Sequence, residues 1–177
     1  MPGTDAAAQE LLRDCFTRLI EHVDALTDGL TDDLATYRPT PHANSIAWLI
    51  WHSARVQDLQ VCDIAGTLAS PGDVWTRDAW VDRFGLDLPR DDTGYGHSPD
   101  DVAKVRAPAE LLAGYYHAVH EMTLEFVRAL GTDDLARIVD HNWDPPVTAS
   151  ARLVSIIDDC AQHLGQAAYV SGIAPGN

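Results

Sequence analysis

The sequence is short of cysteine and lysine and has no long apolar run, and each shortage excludes something. Its three cysteines, Cys15, Cys62 and Cys160, are widely spaced and form no CxxC pair. That pattern is neither a disulfide framework nor a zinc-finger array, so reduced and mostly buried thiols are expected. No stretch approaches the roughly 20 apolar residues that a membrane-spanning helix needs. The first ten residues lack the basic start and apolar centre of a secretory signal, which makes the cytoplasm the expected location. Lys104 is the single lysine, and 12 basic residues face 27 acidic ones for a net charge of −15. A nucleic-acid binder carries a basic stripe, and none is visible here. The same charge opposes an anionic membrane surface. Neither nucleic acid nor membrane is an expected partner, and the acidity itself accounts for solubility. The absence of G-x-S-x-G, P-loop and G-x-G-x-x-G elements disfavours acyl hydrolases, P-loop NTPases and dinucleotide-binding dehydrogenases.

What is present is a chain of 177 residues with 46% apolar content, enough for one domain over 1–177 with its own core. Four long helices are predicted. The first covers about 5–29, with Leu11, Leu12, Cys15, Phe16, Leu19, Val23 and Leu26 at helical spacing and Gly29 as a stop. The second covers about 45–66, capped by Asn44 or Ser45, with Leu49, His52, Val56 and Leu59 on one face. The third runs from Pro108 to about Leu130 with an inward stripe of Leu112, Tyr116, Val119, Thr123, Phe126 and Leu130. The fourth runs from about Ala149 to Val170, with Gly172 ending it. Between the second and third lies a long irregular segment, about 71–107, with a short helix expected near Trp75–Phe84. A connection this long is usually functional or packs over one end of the domain. No alternating strand pattern of useful length occurs. The expectation is an all-α four-helix bundle with a crossover connection.

The residues that carry chemistry lie on two of these helices. Asp159 and His163 are four apart and share a helix face with Ile156, Ala167 and Val170, which are core types. A carboxylate among them needs a partner, because burying it alone is costly. His52 reaches the same interior from the second helix. Two donors at i and i+4 and a third from a facing helix can hold a divalent metal: zinc, or alternatively nickel, iron or manganese. The competing reading is a buried hydrogen-bonded Asp159–His163 pair with no metal.

The segment Asn44-Ser-Ile-Ala-Trp-Leu-Ile-Trp-His52 resembles the second-helix signature of the DinB-like superfamily, which includes mycothiol-dependent maleylpyruvate isomerase. Arg152-Leu-Val-Ser-Ile-Ile-Asp-Asp-Cys-Ala-Gln-His-Leu-Gly-Gln166 resembles its last-helix signature. Stretches 75–84 and 92–97 are similar as well, so the likeness runs from about 10 to 172. It implies a DinB-like bundle, often a homodimer, with a metal near one bundle end. Many relatives place three histidines there. Isomerase-type relatives have Glu where Asp159 stands, one methylene longer. Characterised members use low-molecular-weight thiols such as mycothiol, which makes a thiol S-transferase or isomerase the leading expectation. A non-catalytic binding bundle is the alternative.

Other residues near the expected pocket are Trp48, Trp51, His120 and Gln166. The tryptophans flank His52 and are core types first. His120, one turn from His117, is either a pocket residue, a fourth ligand or an ordinary core histidine. Gln166 reaches a ligand or a facing helix. Asp58 is expected near a surface or an arginine, Tyr95 and His97 in a glycine-rich loop that either joins the pocket or stays on the surface, and Cys160 as a core thiol rotated away from the metal.

Overall fold

The computed structural model describes residues 2–66 and 72–175, with side chains from residue 5 onward. In chain order the elements are α1 (Pro2–Thr27), α2 (Asp32–Ala35), α3 (Ile46–Ala65), α4 (Val74–Arg77), α5 (Trp80–Phe84), α6 (Pro99–Lys104), α7 (Ala109–Ala129), α8 (Thr132–Leu135), β1 (Ile138–Asp140), β2 (Val147–Thr148) and α9 (Ala149–Ile173). The four long helices α1, α3, α7 and α9 form the bundle. Each packs on two others: α3 on α9 and α7, and α1 on α7 and α9. The first two long helices, α1 and α3, and the last two, α7 and α9, therefore sit at diagonal corners, so these two connections cross the bundle, while α3 and α7 are neighbours. The all-α bundle with crossover read from the sequence is the observed fold.

Local chemistry explains the helix limits. Ser45 caps α3 by accepting the Trp48 amide at 3.2 Å, and Gly66 ends it at φ 71°. Thr148 caps α9 in the same way through Ala151. Pro108 is the cap of α7 rather than a residue of its first turn. Gly172 does not stop α9, which continues to Ile173. The short helix expected over 75–84 is two helices, because Ala79 turns left-handed at φ 56° between α4 and α5. The β1–β2 hairpin, antiparallel with Ile138 opposite Thr148, was not foreseen. Strands of three and two residues carry too few positions to show a period of two.

The core holds one charged cluster. Asp58, expected near a surface or an arginine, is completely buried beside Arg55, whose Nη1 lies 3.6 Å from its Oδ2. Its carboxylate accepts the Val74 and Trp75 amides at 2.9 Å each and the Tyr115 hydroxyl at 2.8 Å. Those amides are the first turn of α4, where helical N–H groups lack internal partners. Arg55 also donates to Asp73 Oδ2 at 3.1 Å and to the Asp92 carbonyl at 3.0 Å. One ion pair thus ties α3 to α4, to α7 and to the loop after α5. Burial pushes the Asp58 carboxyl above its usual range, and the two amides, Tyr115 and Arg55 pull it back.

Asp58→Ala should cost roughly 3–5 kcal/mol, the effect of leaving a buried charge uncompensated. Tyr115→Phe, which removes one donor, should cost about 1 kcal/mol. Urea unfolding checks both. Equally small losses in the two variants would contradict the central place of Asp58.

Candidate metal centre and its cavity

On α9, Ile156, Cys160, Leu164 and Ala167 are buried, which fixes the rotation of the helix. Asp159 and His163 lie at the edge of that buried face and meet His52 from α3. One donor atom from each of the three residues lies within 4.8 Å of the others. The His52 and His163 rings meet edge to face at 4.8 Å between centroids.

Both imidazoles present the same nitrogen. His52 Nδ1 lies 2.5 Å from the Thr93 carbonyl oxygen, and His163 Nδ1 lies 2.8 Å from the Asp159 carbonyl oxygen. A carbonyl only accepts, so each Nδ1 carries the proton and each Nε2 keeps a free lone pair. Burial, opposed by the bond to Thr93, lowers the His52 pKa and favours the neutral ring that metals bind. Asp159 Oδ2 is buried with no hydrogen-bond partner, and His163 Nδ1, at 3.6 Å, is too far to supply one. Two oriented imidazoles beside an orphaned carboxylate oxygen are a donor set that fits a divalent cation.

The loop carrying Thr93 is held from several sides. Asp92 Oδ1 accepts the Gly94 amide at 2.7 Å and His97 Nε2–H at 3.0 Å. His97 Nδ1 in turn accepts Trp48 Nε1–H at 3.0 Å. The Trp48 ring stacks on His52 at 4.5 Å, and Trp51 stacks on His97 at 6.0 Å. Gly94 has φ 90°, and a Cβ there would stand 2.9 Å from His52 Nδ1, 3.0 Å from Trp51 and 3.1 Å from Trp48. Only a glycine lets the loop approach closely enough for Thr93 to orient His52.

Beside the triad lies a cavity of about 470 Å³. His52 and Asp159 open into it. Val56, Leu59 and Gln60 from α3, Arg152, Ser155, Asp158 and Gln162 from α9, and Thr93 and Tyr95 from the loop complete its wall. Trp48 and Trp51 back the site instead of lining the cavity. Tyr95 is exposed at its edge, and His97 is buried behind it. His120 is elsewhere: it is half-buried on α7, and its electrostatic neighbours are His117, Glu121 and Asp24 of α1. Its stripe faces α1, because the α3 side of α7 is filled by Tyr115, Tyr116 and Thr123. Gln166 is exposed and lines a separate groove with His42 and Tyr169. Cys160 is a core thiol, pushed up to about 12 by burial. Thr93 and Arg152 had not been singled out from the sequence. Thr93 contributes a main-chain atom, which leaves no trace in residue type. Arg152 could have been found at seven positions before Asp159, two turns along the same face.

The family model for mycothiol-S-transferase matches residues 11–173. The chain belongs to this family. It is also similar to a crystal structure described as a conserved protein from Enterococcus faecalis, at 34% identity and a TM-score of 0.85, over 95% of this chain and 97% of that one. For a mycothiol-S-transferase family member the DinB-like bundle is the expected fold, and both signatures noted in the sequence fall inside the matched region. No helix among the described residues is long and apolar enough to cross a membrane.

Gly94→Ala should cost about 1–3 kcal/mol in backbone strain. By displacing the Thr93 carbonyl it should also weaken metal binding about 10–100-fold, as loss of a ligand's supporting bond does. Gly96→Ala, at φ 73° with open space around its Cβ, should show the strain without the binding loss. Thermal melts and metal titrations separate the two effects. Equal metal affinity in both variants would show that the Thr93 contact does not orient His52.

Proposed function

We propose that this mycothiol-S-transferase family member is a metal-dependent S-transferase that moves a low-molecular-weight thiol of the mycothiol type onto an electrophile. The observation carrying this reading is the buried, partnerless Asp159 Oδ2 beside two imidazoles whose Nε2 lone pairs are free. His52, Asp159 and His163 would hold the ion. Zinc is the first choice from the donor set, with nickel, iron or manganese as alternatives. When bound, a divalent ion stabilises the thiolate form of a coordinating thiol near neutral pH.

The chain's own residues supply the rest. Thr93 holds the His52 tautomer and Trp48 covers the ring face, so the His52 lone pair keeps one direction. Val56 and Leu59 form an apolar wall that limits water beside the triad. Gln60, Ser155 and Gln162 offer hydrogen bonds along the same wall, suited to a ligand rich in hydroxyl and amide groups. Tyr95 stands at the cavity edge on a loop flanked by two positive-φ glycines, where it can close against a bound molecule.

His52→Ala and His163→Ala should abolish stoichiometric metal binding, and Asp159→Ala should weaken it. Metal analysis of protein prepared without an affinity tag or chelator reads this. With Co²⁺, added thiol should produce a sulfur-to-metal charge-transfer band that is missing in His52→Ala. Full occupancy in all three variants, or no thiol-dependent band in the parent protein, would remove the proposal.

A further inference from the structure

We infer that Arg152 makes this cavity a receptor for a carboxylate-bearing ligand, the acid seated about two helical turns from the metal triad. The inference rests on the reading above that the cavity beside His52 and Asp159 is the substrate site.

Arg152 is the one guanidinium in the cavity wall among the described residues, in a chain of net charge −15. Its hydrogen bond goes through a single nitrogen, Nη2, to Asp140 Oδ2 at 2.7 Å. A guanidinium has five N–H donors, and here Nε is buried with no partner. A purely structural tie between α9 and β1 would not need a group that leaves a buried donor unsatisfied, which is unfavourable. Asp140 is itself occupied on its other oxygen, which accepts the Asn142 amide at 2.9 Å. The hairpin carboxylate thus steadies Arg152 through Nη2, and the donors left for a second acid are those of the Nη groups and not the enclosed Nε. Arginine suits that task, since its planar fork matches a carboxylate at two points.

The other charges locate the acid. Asp158 and Asp159 also line the cavity, and both repel an anion at the triad end, whereas at the other end the Asp140 charge is met by Arg152. Asp158, one residue before Asp159, accepts at 2.8 Å from Gln162, which lies one turn further along α9. The favourable seat is therefore the Arg152 end. Arg152 and Asp159 are seven positions apart, which places them about 10 Å apart along α9. The ligand that satisfies both ends is a compact acid of about that length, in keeping with a cavity of about 470 Å³.

The test compares 4-methylbenzoate with its uncharged isostere 4-methylbenzamide by ligand-observed NMR titration, on chelator-treated and on zinc-loaded protein. The parent protein should bind the acid about tenfold more tightly than the amide. Arg152→Gln should remove that preference and leave the amide unchanged. Arg152→Lys keeps the charge but not the fork and should reduce the ratio about threefold. It carries the test if the Gln variant does not fold. The inference is overturned by no preference in the parent, by a preference that survives substitution, or by equal losses for both probes, the sign of a structural tie alone. A preference seen only with zinc and kept in Arg152→Gln places the acid on the ion and overturns it too. The chelated titration is independent of the metal reading, whose failure shows separately in the cobalt spectrum.

Discussion

The buried Arg55–Asp58 pair is the interaction on which the site depends. Two charges removed from water are stable together only when nearly every donor and acceptor is matched. Asp58 meets that demand by capping α4 and taking the Tyr115 hydroxyl, and Arg55 by reaching Asp73 and the Asp92 carbonyl. The partners that satisfy the pair are the pieces of chain that surround the candidate metal centre. Asp92 anchors Gly94 and His97, the next carbonyl after it orients His52, and His97 receives Trp48. Core electrostatics and ligand orientation form one connected set of hydrogen bonds.

Much of this was legible in the sequence because the bundle obeys a period. Four helices and most of their inward stripes follow from spacings of three and four, though Leu11 of the first is exposed and Phe126 of the third only half-buried. The meeting of His52 with Asp159 and His163 follows from spacing together with the family resemblance. The resemblance to the DinB-like superfamily agreed with the period. What was not legible depends on the main chain or on distance in sequence. The role of Thr93 lies in a carbonyl oxygen, and the burial of Asp58 is caused by amides sixteen and seventeen residues away. Gln166 sits on a site helix but on the wrong face, and His120 sits on α7, which contributes nothing to the cavity wall. Their rotation is set by the large residues around Tyr115 and by the buried row of α9, which a single stripe does not resolve. The break at Ala79 has no residue-type signal, since alanine ordinarily favours continuing a helix.

The acidic composition has a local counterpart. Most of the ionic contacts are exposed pairs such as Arg90–Asp82 and Arg18–Asp14, of the kind that contribute little to stability. Among the described residues the sheltered arginines, Arg55, Arg38 and Arg152, each tie separate parts of the chain together. In a protein so poor in cations, the positions where one is enclosed identify the places where the fold holds a fixed positive charge.

A last consequence follows from α9 carrying both ends of the cavity. Arg152, Ser155 and Asp159 are stations on one rigid rod that rises about 1.5 Å per residue. The separation between the triad aspartate and the guanidinium is thus a ruler with fixed graduations, and no loop movement changes it. A relative that moved its guanidinium from 152 to 155 would shorten the span by about 4.5 Å while leaving the triad, its supporting carbonyls and the bundle untouched. The length of the cavity floor can therefore diverge by single substitutions along a helix, independently of the triad at its far end.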